Sequence, residues 1–298
     1  MKKILMIGSG AIASYYSGLI EKNCDLTIFC RNDYHFVKEH GIYIESPNGN
    51  FTFKPKVINN LADYCDQPDY IIIATKSLAE IDLVSMIKKI NYHKADIVLI
   101  QNGIHIEKTI FENFKTNNLI SVLAFVAVSR ISSGKIIHQD YGKLIIGNYP
   151  IGINNSCEEL ITILKQSKIE IEVSKNIQEE RWKKLIWNGS FNPVSVLTRL
   201  NTQQLLANSN IRILLKNIMQ EIIDLAKIDG FNLDQSLIDK NFYLTEKMKP
   251  YKTSMLLDFE ANRPMEIESI IGNAINFAKN NSIKTPYLSS IYALISCY

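Results

Sequence analysis

Three polar side chains in the stretch Arg181–Pro193, which reads RWKKLIWNGSFNP, are spaced for chemistry. At about 100° per residue on a helix, Lys184, Asn188 and Asn192 fall along one gently drifting stripe. Leu185, Ile186 and Gly189 lie towards other sides, where they can pack or permit close approach. The stripe offers one ammonium and two carboxamides to a single cleft. An ammonium can stabilise a developing alkoxide and protonate it, and amides can bind substrate oxygens without adding charge. Each residue also has an ordinary explanation alone, since lysine is a common exposed helical cation and asparagine often caps helices. Asn192 precedes Pro193, which disfavours helical geometry, so a helix end or kink is expected there.

The elements that must position such a site start at the amino terminus. Lys3–Ile7 is a short apolar run with the length and Ile/Leu content of a buried strand. Gly8-Ser9-Gly10-Ala11-Ile12-Ala13 follows, and then an apolar-periodic helix to about Ile20. This is GxGxxA between a strand and a helix, where glycines allow a tight turn and let backbone approach a pyrophosphate at the positive helix end. A glycine-rich turn without a ligand is the plain alternative. The second strand, Leu26–Cys30, leads to Arg31-Asn32-Asp33, about where a dinucleotide fold reads the ribose. Arg31 suits the 2′-phosphate of NADP, while Asp33 leaves NAD as the lesser option.

Gly41–Phe53 alternates around PNGN, a hairpin signal with its turn at Asn48-Gly49. Tyr70–Ala74 is a continuous apolar run that delivers Thr75-Lys76 at its carboxyl end, the edge where open α/β sheets bind ligands. Lys76 is placed either to contact cofactor phosphates or to stand as an ordinary loop lysine, and Asn102, after the strand Ile97–Ile100, either to reach the nicotinamide or substrate end or merely to shape a turn. Leu119–Val126, Lys135–Ile137 and Leu144–Ile146 read as further strands, Cys157–Lys165 as a helix and Ile169–Val173 as a strand. From Ile177 strand-like runs vanish and helical periodicity takes over, with Ile211–Ala226 as its clearest case. The expected division is 1–174 and 175–298. Near the end, Pro264 is placed to open a helix with Glu266 in its first turn, and Ser254 to cap another.

Composition excludes several classes. A formal net charge of +3, with scattered lysines and no basic tract, gives no sign of a nucleic-acid partner. The five cysteines show neither CxxC nor Cys/His ligand spacing and read as free thiols in a reducing compartment, with no metal site. No apolar run reaches membrane-spanning length, and MKKILMIGSG ends too soon in glycine for a targeting segment, so a cytoplasmic protein is expected. His105 and His138 read as loop or strand residues. The apolar carboxy-terminal helices suit either a core or the interface of a homodimer.

Four separated segments together resemble the ketopantoate reductase family: GSGAIA at Gly8–Ala13, QNG at Gln101–Gly103, the KLxxNxxxNP core at Lys184–Pro193, and SMLxDxExxRPxEI at Ser254–Ile267. The resemblance implies an α/β chain, with a Rossmann-type amino-terminal domain followed by an all-helical carboxy-terminal domain and the active site between them. It implies reduction of a 2-keto acid with NADPH. By it, Lys184 matches the catalytic lysine and Glu266 the catalytic-site glutamate. Gly8, Ser9, Gly10, Ala11 and Ile12 match the cofactor turn, and Arg31 and Lys76 match residues around the adenosine 2′-phosphate. Asn102, Asn188, Asn192 and Ser254 match substrate- or cofactor-contacting positions. Tyr251, Leu257, Asn262 and Met265 depart from residues frequent in the family, which leaves the choice of 2-keto acid open. A non-catalytic NADPH-binding sensor is the alternative from another class, although a sensor has no need of a proton donor.

Overall fold

In the computed structural model, which describes residues 1–298, the first apolar run forms β1 (Lys3–Ile7). Ile4, Leu5, Met6 and Ile7 are fully buried, as befits a parallel strand covered on both faces. Each such side chain contributes about 1.5–3 kcal/mol when removed from water, so even a short strand is firmly held. There follow α1 (Ala11–Ile20), β2 (Asp25–Phe29), α2 (Tyr34–His40), β3 (Ile42–Glu45), β4 (Phe51–Phe53), β5 (Lys56–Ile58) and β6 (Tyr70–Ile73). Next come α3 (Leu83–Ile87), β7 (Asp96–Leu99), α4 (Lys108–Asn113), β8 (Leu119–Ser132), β9 (Lys135–Tyr149), α5 (Asn155–Gln166) and β10 (Ile171–Val173).

β5, β2, β1, β6, β7 and β8 lie side by side and parallel. Setting the β3–β4 hairpin aside, that is the 3-2-1-4-5-6 order of a dinucleotide-binding sheet, with its switch point between β1 and β6. Beyond β8 the sheet continues through β9, β3 and β4, with β10 beside β9. β3 and β4 form the expected hairpin, pairing Ile42 with Phe53 and Ile44 with Phe51. The three short runs expected after residue 119 are instead two long antiparallel strands, β8 and β9. Register shifts at Phe125/Val126, Ala127/Val128 and Arg130/Ser132 explain the difference. Each bulge resets the alternation, so one long strand reads as separate pieces.

The rest is helical: α6 (Ile177–Thr198), α7 (Thr202–Ala207), α8 (Ser209–Ile228), α9 (Ser236–Lys247), α10 (Ser254–Glu260), α11 (Asn273–Asn280) and α12 (Pro286–Ile295). α6 does not end at Asn192; Pro193 lies inside it. An internal proline removes one donor and crowds the carbonyl four residues back, at a cost of about 3 kcal/mol. Phe191, Val194 and Val196 around it are buried in a core with Leu215, Ile218, Met219 and Ile222. Burial of three such side chains outweighs that cost.

The chain forms two compact units. The first comprises Met1–Lys76, Asp82–Gln101 and Glu107–Ile177; the second comprises Ser77–Ile81, Asn102–Ile106 and Gln178–Tyr298. All five cysteines are free thiols. No helix is long and apolar enough to cross a membrane.

Candidate active site

The turn between β1 and α1 is made of backbone. Gly8 has φ +122, and a Cβ there would stand 3.2 Å from the backbone of Ala74 and Thr75. Glycine is therefore required where β1 passes the end of β6 at the switch point. The Gly8 N–H donates to the Phe29 carbonyl at 3.2 Å, and the Ser14 hydroxyl to the Ser9 carbonyl at 3.2 Å. Gly10 precedes α1 with no side-chain cap, the first helical turn holds no acidic residue, and a Cβ on Gly10 would meet nothing within 4 Å. Uncapped N–H groups, a positive helix end and open space suit a diphosphate. Ala11 and Ile12 open the helix, partly exposed. Arg31 is exposed beyond β2 and Lys76 is half-buried beyond β6. Asp33 faces inward, buried, accepting hydrogen bonds from Arg130 and from the Ser133 hydroxyl. Its carboxylate is thus occupied rather than offered to a ribose. These residues fit a nicotinamide dinucleotide, and Arg31 is an exposed cation just past the end of β2.

The second unit supplies side chains. Lys184 Nζ donates to Asn102 Oδ1 at 2.9 Å, and Asn102 Nδ2 donates to Glu266 Oε2 at 3.1 Å. The Ser77 N–H donates to Glu266 Oε1 at 3.0 Å. Asn102 thus bridges an ammonium and a carboxylate. Lys184 keeps part of its surface open as a residue, but its ammonium end is desolvated. Burial, with the neighbouring Arg181 charge, lowers its pKa from 10.5 to about 7, and Glu266 only partly opposes them. Such an amine loses and regains a proton readily near neutrality.

Local structure explains how Asn102 reaches this place. Gly103 has φ +108, and a Cβ there would press into the Ser269 carbonyl. Ile104 N–H donates to that same carbonyl at 3.2 Å, and Arg181 Nη1 donates to the Gly103 carbonyl at 3.0 Å. The QNG glycine lets the loop seat against a π-helical stretch, Glu268–Gly272, that continues into α11. π-helical turns often mark functional sites. Glu266 itself precedes this helix rather than lying in its first turn, and its carboxylate accepts from the Ser77 and Asn102 donors.

Asn188 follows Lys184 by one turn of α6 and Asn192 by two, about 6 and 12 Å along the axis. Asn188 is half-buried; Asn192 is buried, and its side-chain oxygen has no hydrogen-bond partner. Ser254 opens α10 and is exposed, but the helix cap is Thr253, whose hydroxyl accepts from the Leu256 N–H at 3.2 Å. Hydrogen bonds therefore join Asn102, Lys184 and Glu266, and leave Asn188, Asn192 and Ser254 outside that chain. Sequence reasoning passed over Arg181, buried one turn before Lys184, although the i, i+3 spacing was there to be used. It also passed over the Ser77 N–H, which no side-chain pattern signals. No group of three or more His, Cys, Asp or Glu stands close enough to hold a metal ion.

Comparison with known proteins decides the family. The ketopantoate reductase PanE/ApbA family model matches residues 4–150, and the ketopantoate reductase PanE/ApbA C terminal model matches residues 176–298. This chain belongs to the ketopantoate reductase family. It is an oxidoreductase with a Rossmann-like first part and a helical second part, and the family binds a nicotinamide cofactor. The 2-dehydropantoate 2-reductase of Nostoc sp. is 31% identical over 299 residues, 98% of this chain and 93% of that one. The crystal structure of 2-dehydropantoate 2-reductase from Methylococcus capsulatus matches with TM-score 0.91 at 39% identity, over 99% of this chain and 96% of that one. The ternary structure of D-mandelate dehydrogenase with NADH and anilino(oxo)acetate shares the fold, with TM-score 0.91 at 20% identity over 100% and 97% of the two chains.

Proposed function

We propose that this chain reduces 2-dehydropantoate (ketopantoate) to pantoate with NADPH, with Lys184 as general acid, in pantothenate biosynthesis. The observation that carries the reading is the Lys184 amine, drawn down to about 7 by burial and Arg181 and hydrogen-bonded to Asn102. A lysine whose pKa is strongly shifted by burial is the kind of group found at functional sites.

Gly8, Ser9, Gly10, Ala11 and Ile12 would hold the cofactor pyrophosphate, Arg31 and Lys76 its 2′-phosphate, and Asn102 its nicotinamide end. Support for NADPH over NADH comes from exposed Arg31 beside an Asp33 already occupied by Arg130 and Ser133. When bound, the reduced nicotinamide supplies a hydride to the keto carbon. Lys184 would stabilise the negative charge that develops on the carbonyl oxygen and give it a proton. The N–H bond breaks, the product O–H forms, and the neutral amine regains its proton from water. Glu266 orients the lysine through Asn102. Asn188 and Asn192 hold substrate oxygens, and the unpartnered Asn192 oxygen accepts from a substrate hydroxyl, which relieves a buried acceptor worth about 1–3 kcal/mol. Ser254 holds the keto acid's carboxylate.

Protonated Lys184 is the active form in reduction. The rate is therefore level below about pH 7 and falls above it, while the reverse oxidation rises over the same range. A relative acting on a different 2-keto acid is the second reading, favoured by Leu257, Asn262 and Met265 flanking the Glu266 segment. One assay separates the readings: purified protein, NADPH and a panel of branched 2-keto acids, followed by loss of reduced-cofactor absorbance. Ketopantoate is expected to give the highest specificity constant. A higher constant for another acid selects the second reading, and tight NADPH binding without consumption of any acid leaves a sensor.

A further inference from the structure

We infer that His105 and Asp229 are positioning residues that hold the Asn102 loop in register with Lys184 and Glu266; this rests on the reaction proposed above. His105 stands three residues after Asn102 at φ +55, a backbone conformation that a residue bearing a Cβ adopts at a cost. Such strain persists where surrounding contacts impose it, and here those contacts are specific. His105 Nε2 and Asp229 Oδ2 are 2.8 Å apart, with the ring nitrogen donating. Trp182 Nε1 donates to the same oxygen at 2.8 Å. The imidazole packs edge-on against Trp182 and Phe277, with centroids 5.8 and 5.2 Å away.

Asp229 is unusual where it stands. It ends α8 at the C-cap, the negative pole of the helix, where a carboxylate is disfavoured. Two N–H donors converging on one oxygen compensate it. Through that oxygen, one carboxylate ties the loop carrying Asn102 to the helix carrying Lys184, since Trp182 lies two residues before the lysine. The remaining ties flank the same loop: Arg181 to the Gly103 carbonyl, and Asn273 Nδ2 to the Ile104 carbonyl at 2.8 Å. Asn102 secures one end of the loop and His105 the other. Small displacements of groups around a reacting centre reduce rates out of proportion to their size, by about 100-fold for 1 Å.

The test is a double-mutant cycle in the full-length protein. Asparagine tolerates positive φ well but is too short to reach Asp229, so His105→Asn removes the bond and keeps the backbone. It should lower kcat about tenfold with the KM for NADPH within about twofold. In an Asn102→Ala background the same change should cost less than about twofold, because residues that act through one another are non-additive. Asp229→Asn, which retains one acceptor oxygen, should lose less than Asp229→Ala. Amide exchange at Ile104 should quicken in His105→Asn. Undiminished kcat in His105→Asn, a full tenfold loss added to that of Asn102→Ala, or unchanged exchange at Ile104 would each overturn the inference. If the wild-type chain consumes NADPH with no 2-keto acid, the proposed reaction fails, and the exchange comparison decides the positioning role alone.

Discussion

Around Gly8 the first unit works through backbone: a positive φ, bare N–H groups and open space above a helix end. Around Lys184 the second unit works through side chains drawn from Asn102–Ile106, α6 and the segment before α11, with one backbone N–H from Ser77–Ile81. A backbone site is defined by what its residues lack, so it fits in six consecutive positions. A side-chain site is defined by what converges, so it is only as sound as the loops that bring its members together. Substitutions should therefore act locally on cofactor affinity in the first case, and on turnover from several distant positions in the second.

The sharpest cut between the two is Lys184→Ala. Turnover should fall about 10³-fold while NADPH affinity, measured by fluorescence titration, stays within about twofold. Near-normal turnover would remove the lysine from the chemistry. Gly103→Ala attacks the comparison from within, because here a backbone feature sustains the side-chain site. Its φ of +108 and the Ser269 carbonyl leave no room for a methyl group. A loss of about 100-fold in kcat is expected, with a lowered unfolding temperature by calorimetry; an unaffected kcat would mean that the seat of Asn102 is immaterial. Arg31→Ala should weaken NADPH about tenfold and leave NADH nearly unchanged, the loss of one charge-assisted phosphate contact. Equal losses for both cofactors would refute phosphate reading.

The smallest effect is on stability. Lys184 has a folded-state pKa of about 7 against 10.5 when solvated, so between those values the unfolded chain binds a proton that the folded chain does not. Stability from this group is lowest below about pH 7 and recovers as pH rises towards 10.5. The unfolding free energy therefore climbs with pH between about 7 and about 9. Urea unfolding should show that rise in the wild type and its absence in Lys184→Met.

Local signals made the sheet and its glycine turn legible. Strand length, glycine spacing and a following helical period all lie within one window, and the strand order then satisfied the fold they implied. The stripe of Lys184, Asn188 and Asn192 was visible for the same reason, as one helix carries all three. Partnership was not visible. Nothing near Asn102 in the sequence says that its oxygen takes the lysine and its nitrogen the glutamate. Of the two outcomes that Pro193 allowed, a helix end at Asn192 is not found, and local rules also misplaced the cap of α10 at Ser254 and the helix containing Glu266. At Pro193 core burial overruled proline; at α10 the neighbouring Thr253 hydroxyl takes the Leu256 N–H; at Glu266 donors from remote loops claimed the carboxylate.

Because Ser77–Ile81 and Asn102–Ile106 group with the helical unit, that unit is not a contiguous module of the gene. A chimera joining residues 175–298 to another Rossmann half would inherit the ammonium and the carboxylate but import a foreign amide between them and a foreign peptide N–H for Glu266. Swapping cofactor specificity by exchanging halves would thus also rewire the hydrogen bonds around Lys184 and Glu266, unless both short loops were carried across with the helices.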